Sequence, residues 1–101
     1  MAADAPTSGP VVDPDVRTQV AAGRSRVVLE LRVESRQDPA AIAAVQDQVL
    51  AALPQGHAIL ARRFTSVPLL ALEIDAEALR TLERLGDAIV RVRADAVKRP
   101  Q

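Results

Sequence analysis

The sequence predicts an α+β fold, a ferredoxin-like split βαβ sandwich of order βαββαβ. In this fold two helices cover one face of a four-stranded antiparallel sheet. Three observations predict it: short segments of alternating apolar and polar residues, apolar stripes with helical spacing between them, and proline, glycine or aspartate at the boundaries. Because βαβ crossovers are right-handed, both helices lie on one face and the expected strand order is 4-1-3-2.

The N-terminal residues 1–22 are predicted to be a flexible leader with a short helix at 15–22. Their first part is rich in proline and small polar residues, a composition typical of segments without a core. Gly23 is suited to follow the end of that helix. The predicted domain then spans residues 23–95, and residues 96–101 form a C-terminal tail.

The first βα unit begins at residue 26. Arg26 to Val33, RVVLELRV, alternates in polarity and indicates a strand with one buried face. Asp38 is a good N-cap, and Pro39 is suited to the first helical position, where a missing N–H has no cost. The helix is expected to run to Leu53, with four apolar residues in one stripe: Ile42, Val45, Val49 and Leu53.

The second half of the chain repeats the pattern after a hairpin. Strands are predicted over 58–64, with Leu60 and Phe64 inward, and over 68–74. Asp75 is expected to cap a second helix, which carries a leucine stripe and ends at Gly86. The fourth strand is predicted over 88–94.

Composition excludes several classes of function. The formal net charge is zero, without the clustered positive field that nucleic acid requires. The chain has no cysteine, which excludes disulfides, zinc thiolates and thiol catalysis, and its single aromatic residue provides no stacking platform. No apolar run is long enough to span a bilayer. We therefore expect no metal, no cofactor, no nucleic acid and no membrane partner.

Candidate catalytic groups have simpler structural interpretations. His57 is expected to be a solvated loop residue, because no second metal ligand lies at a suitable spacing. Glu73 and Asp75 form a carboxylate pair in sequence, but an outward strand residue and a helix cap explain them better. Ser66 has no base partner in sequence. The chain is therefore predicted not to be an enzyme.

The adjacent cations Arg62 and Arg63 lie on a predicted strand. One of them must point toward the helices unless a bulge rotates it, and it is expected to extend its charged end to the rim of the sheet.

Two features remain for function, the uncovered face of the sheet and the C-terminal tail. An extended peptide that follows a strand is suited to enter a groove as an added strand. The uncovered face is expected to carry these residues: Val28, Glu30, Arg32, Arg91 and Arg93.

From Arg26 onward, the chain resembles the propeptides of subtilisin-like serine proteases, a family that includes small propeptide-like proteinase inhibitors. The matching segments are VVLELRV, VLAALPQG, Phe64 shortly before a strand, LEIDAEALRTLERL, and the last strand, which runs into Asp95. The family closes with an apolar residue, two variable positions, an apolar residue, Glu, any residue and Asp. Here residues 89–95 read IVRVRAD, with Arg93 in place of that Glu.

The resemblance implies a role. Such propeptides dock their open sheet face on two surface helices of the protease, act as intramolecular chaperones, and block the active site with their tail. It implies that Asp95 caps a helix of the protease and that the tail fills the substrate subsites with Lys98, Arg99, Pro100 and Gln101. It also implies a secreted or periplasmic chain whose signal peptide has been removed.

Two alternatives remain open. One is a regulatory domain of the same topology that binds a small metabolite, although the loop after the first strand reads SRQDP and fits a helix cap better. The other is a small hydrolase of the acylphosphatase type. That chemistry needs an asparagine, and the chain has none.

Overall fold

The computed structural model describes residues 9–35 and 37–95 as an α+β domain. Its described elements, in chain order, are β1 (Val11–Val12), α1 (Pro14–Ala21), β2 (Ser25–Leu31), α2 (Pro39–Ala52), β3 (Ala58–Arg63), β4 (Leu69–Ile74), α3 (Ala76–Glu83) and β5 (Ile89–Ala94).

The strands form one five-stranded mixed sheet in the order β1-β5-β2-β4-β3. β1 is parallel to β5, and the other neighbours are antiparallel. The four antiparallel strands follow the predicted order. The prediction of a four-stranded, wholly antiparallel sheet with two helices is wrong, because β1 adds a parallel edge strand and α1 adds a third helix.

Alternation along the strands places one face of the sheet in the core. In β2, Val27 and Leu29 are fully buried, and their partners across β4, Leu72 and Leu70, are buried with them. Residues from all three helices join the same apolar cluster, among them Val16, Val49 and Leu82. The helices therefore cover one face of the sheet.

The two predicted helix caps have the expected geometry. The Asp38 carboxylate accepts the backbone N–H of Ala40 at 3.0 Å, and Pro39 occupies the first turn of α2. The Asp75 carboxylate accepts the backbone N–H of Ala78 at 3.0 Å. Each cap satisfies an amide that has no partner within its helix.

Residues 11–21, which the sequence places in a flexible leader with a short helix at 15–22, form β1 and α1, and α1 covers Pro14–Ala21. Val16 is fully buried and Val20 is 8% exposed, and both belong to the core cluster. The backbone N–H of Asp13 donates to the carbonyl of Val92 at 3.0 Å, which ties this segment to β5. Burial of the two valines gives the eight-residue α1 tertiary support that a short helix needs.

The strand β3 is the sheet edge farthest from β1, and it contains a bulge between Leu60 and Arg62. Leu60 lies opposite the buried Leu72 but is 45% exposed, because no further strand or helix covers this edge among the described residues. Phe64 follows the strand and is partly buried. The sequence prediction that Leu60 points inward is therefore correct for its side of the sheet but not for its burial.

Candidate functional site

The candidate site is the sheet face opposite the helices, called here the open face. The strand register places Val28 opposite Arg93 and Glu30 opposite Arg91, with side chains on that face. It continues across β4 through Ala71. The residues of the open face are Val11, Arg26, Val28, Glu30, Ile59, Arg62, Leu69, Ala71, Glu73, Arg91 and Arg93.

Ion pairs within the chain compensate most of the charge on the open face. Arg93 Nε lies 2.9 Å from Glu30 Oε2. The guanidinium of Arg91 donates from Nε and Nη2 to one oxygen of Asp13, at 2.9 and 2.8 Å. Four of the predicted docking residues, Val28, Glu30, Arg91 and Arg93, thus lie together on this face.

Asp95 is held at the end of β5 by the neighbouring strand. Its backbone N–H donates to the carbonyl of Arg26 at 2.8 Å, and its Oδ2 lies 3.7 Å from Arg26 Nε. Its side chain remains 32% exposed. Asp95 directly follows β5, which ends at Ala94.

The fifth predicted docking residue, Arg32, lies just past the end of β2. Its backbone N–H donates to the carbonyl of Ala88 at 2.8 Å, and its Nε donates to the carbonyl of Gly86 at 3.3 Å. The register of β2 against β5 shifts between Glu30 and Leu31, so Arg32 is directed to the turn after α3.

A hollow of about 330 Å³ lies at the end of the sheet where β3 connects to β4. It is lined by Glu30, Leu31, Pro68, Leu69 and Val90. Four of these residues have apolar side chains, and the carboxylate of Glu30 is already paired with Arg93.

His57 has a partner that the sequence analysis missed. Its Nδ1 donates to Asp75 Oδ2 at 2.7 Å, and the backbone N–H of Asp75 donates to the carbonyl of His57 at 3.1 Å. The Ala78 backbone N–H, followed by the His57 hydrogen bond, lowers the pKa of Asp75. His57 precedes β3 and Asp75 follows β4, so antiparallel pairing of those strands was the signal for this contact.

The bulge in β3 sets the directions of the adjacent side chains Arg62 and Arg63. Arg63 turns to the helix side, where Nε donates to Gln46 Oε1 at 2.8 Å and Nη2 donates to Asp47 Oδ1 at 2.7 Å. The guanidinium of Arg62 stays on the other side, 4.7 Å from the centroid of the Phe64 ring. Both cations are therefore engaged locally, which explains them without a bound anion.

Gln46, 1% exposed, is a second residue that the sequence analysis missed. Besides accepting from Arg63, its Nε2 donates to the carbonyls of Phe64 and Leu69 at 2.6 and 3.0 Å. It lies one turn from Ile42 and Val49 in α2, a spacing that already indicated an inward position.

Residues 9–35 and 37–95 contain no group of three or more His, Asp or Glu residues arranged to hold a metal ion. Within the same residues, no helix has the length and apolar character needed to cross a membrane. The predicted subsite residues Lys98, Arg99, Pro100 and Gln101 lie outside the described residues.

Comparison of the chain with models of known families, with curated proteins and with solved structures finds no match.

Proposed function

We propose that this chain is the propeptide of a subtilisin-like serine protease, a non-catalytic module that assists folding of the protease domain and then blocks its active site. The observation that carries the proposal is the position of Asp95. It directly follows β5, the strand that brings Arg91 and Arg93 to the open face, so a tail attached there would start beside a partner docked on that face.

The topology supports this reading through its central unit. β2, α2, β3, β4, α3 and β5 follow the βαββαβ order, with sheet order β5-β2-β4-β3, an order that is consistent with a ferredoxin-like arrangement. β1 and α1 are an N-terminal addition on the outer side of β5 and on the helix side of the sheet. They leave most of the open face free for a partner.

The ion pair between Arg93 and Glu30 addresses the main departure from the family pattern. A cation in place of the family's Glu is repelled by the positive end of a helix dipole. Since Glu30 Oε2 lies 2.9 Å from Arg93 Nε, the two charges largely cancel at that point of the face. The open face can then meet a helix N-terminus without a net positive charge opposing it.

Asp95 supplies the anionic contact in this proposal. Its carboxylate is a third exposed, and its ion pair with Arg26, the one it makes among the described residues, spans 3.7 Å, longer than a direct charged hydrogen bond. It therefore retains acceptor capacity for the free N–H groups of a partner helix.

Two weak contacts then act together. The open face anchors the domain on the protease, and the tail enters the substrate groove as an added strand at high effective concentration. On this proposal the chain acts outside the cytoplasm, without a cofactor, on a protease that is fused to it or free.

The test is inhibition of a panel of subtilisin-like proteases, measured as the slowing of peptide hydrolysis by the full chain. We expect inhibition at micromolar concentration, and loss of active-site blockage when residues 96–101 are removed. No slowing by the full chain at about 100 µM, a concentration at which even weak complexes form, contradicts the proposal.

A pair of substitutions separates the open face from the rest of the surface. Val28→Lys places a charge at the centre of the open face and is expected to weaken inhibition at least about tenfold, because it buries an unpaired cation against the partner. Ala44→Lys, on an exposed position of α2, is the matched control and should leave inhibition unchanged. Equal inhibition by both variants would remove the open face from the proposed interface.

A further inference from the structure

The strand β3 presents an unpaired and apolar sheet edge. Ile59 is 52% exposed and Leu60 is 45% exposed, and their side chains lie on opposite faces of the sheet. No other described strand bonds to this edge. Open edges of this kind are commonly protected by lysine, proline or a covering element. Here a bulge begins only after Leu60, so the stretch before it is unprotected.

The backbone groups of this stretch have a defined direction. The N–H of Leu31 donates to the carbonyl of Pro68 at 2.9 Å. Because the bonding direction alternates along a strand, the backbone groups of Pro68 and of the even-numbered residues of β4 point toward β2. Odd-numbered positions of β4 therefore bond to β3, and Ile59 is the β3 residue that receives those bonds. Ala58 and Leu60, on either side of it, direct their N–H and C=O groups away from the sheet.

We propose that β3 pairs antiparallel with the β3 of a second copy of this chain, about a two-fold axis at Ile59. In this register Ala58 of each copy lies opposite Leu60 of the other. Both residues direct their backbone groups outward, so the pairing forms four inter-chain hydrogen bonds, all before the bulge. The two sheets become one continuous sheet of ten strands.

The side chains fit this register on both faces. On the open face, Ile59 meets Ile59 of the second copy, which covers a large apolar side chain that is 52% exposed in the single chain. On the helix side, Leu60 of the second copy lies beside a hollow of about 320 Å³. The hollow is bordered mainly by apolar residues, which include Leu50, Leu53, Pro54, Leu60 and Leu72.

The positions of the charged residues favour this register of the two β3 strands over a shifted one. Arg62 and Arg63 lie past the bulge, and in the proposed register they face residues before β3 in the other copy. The two Arg62 side chains are then about 20 Å apart along the strands. Arg63 is already paired with Asp47 of its own α2. No like charges meet at the axis, whereas a shift toward the arginines would bring them together.

The β3 edge is separated from β5 by β2 and β4, so the inference goes beyond the proposed inhibition and needs no protease for its test. Sedimentation of the full chain from about 10 to about 500 µM should show a monomer–dimer equilibrium with a dissociation constant within that range. Ile59→Lys places two cations on the axis and should raise that constant at least about tenfold. Val11→Lys changes an exposed valine of the opposite edge strand and should leave it unchanged.

Cross-linking gives a second, independent readout because the chain contains no cysteine. Residues facing each other in a non-hydrogen-bonded pair have Cα atoms about 4.5 Å apart, within the range of a disulfide. Under mild oxidation, Ile59→Cys should form a covalent dimer at least about tenfold faster than Val11→Cys, although Val11 is the more exposed, at 63% against 52%.

A chain that remains monomeric at 500 µM overturns the proposal. So does a dimer that Ile59→Lys leaves intact, or equal cross-linking rates for the two cysteine variants. If the chain is monomeric and yet inhibits proteases, the β3 inference fails while the proposed function stands.

Discussion

Replacement of Gln46 by alanine should destabilise the domain, because it removes the hydrogen bonds of a buried polar side chain. The side chain is 1% exposed and makes three hydrogen bonds, two to the carbonyls of Phe64 and Leu69 and one from Arg63. A net value of about 1 kcal/mol for each bond gives a loss of about 3 kcal/mol in the free energy of unfolding. A domain of this size loses roughly 4–8 °C in Tm per kcal/mol, so Tm should fall by at least about 10 °C.

The assay is urea and thermal unfolding followed by far-UV circular dichroism, since the chain has no tryptophan or tyrosine. Gln48→Ala, at an exposed position of the same helix, is the matched control and should change stability by less than about 0.5 kcal/mol. Gln46→Leu keeps the side-chain volume but leaves the two carbonyls without their donor, so it should also destabilise. Wild-type stability in Gln46→Leu would refute the hydrogen-bond argument, because a cavity effect alone would then explain the alanine variant.

Three further predictions concern other parts of the fold. Val16→Ala should lower the free energy of unfolding in urea by about 2–3 kcal/mol, since it leaves a cavity at a fully buried site. Val11→Ala, at a 63% exposed site, should lower it by less than about 0.5 kcal/mol, and equal effects would place α1 outside the core. Gly56 has φ of 84°, a left-handed conformation that asparagine tolerates better than alanine. Gly56→Ala should therefore destabilise the domain by about 1 kcal/mol and Gly56→Asn by less, and an unchanged urea midpoint for Gly56→Ala would contradict that backbone conformation. The folded state lowers the pKa of Asp75 below 3.8, so the unfolded chain binds more protons there; the stability this gives is present above about pH 4 and is lost as pH falls through the folded value. Asp75→Asn should therefore show a shallower loss of urea midpoint between about pH 5 and about pH 2 than Asp87→Asn, and equal slopes would contradict the prediction.

Much of the fold was readable from local patterns. Alternation in VVLELRV identified β2 and its buried face, and the aspartates at 38 and 75 marked the starts of α2 and α3. Handedness of the crossovers then fixed the order of the four antiparallel strands. These features depend on residues close in sequence and on a general rule, so one sequence is enough to predict them.

Of the two N-terminal elements, the sequence predicted a short helix at 15–22, which overlaps α1, but it did not predict β1. β1 has two residues, too few to show a period. Its neighbour Asp13 bonds to Arg91 of the partner strand, 78 positions away. The surrounding segment is rich in proline and small residues, which favours a leader by composition. The parallel addition to β5 became visible only in three dimensions.

Some features of the candidate site were also predictable from the sequence, and others were not. The sequence placed Val28, Glu30, Arg91 and Arg93 on one face, because strand side chains alternate with a period of two. It did not give the pairing of Arg93 with Glu30, the turn of Arg32 toward Gly86, or the contact between His57 and Asp75. Each of these depends on a register or a bulge that joins distant segments.

By itself, the sequence determined which segments become strands and helices and which face of each is apolar, since periodicity and capping act within a few residues. Only the tertiary structure decided which charges are compensated, which polar side chain is buried, and which strand edge remains open. Those outcomes depend on contacts between residues far apart in the chain, and the register of the assembled sheet sets them.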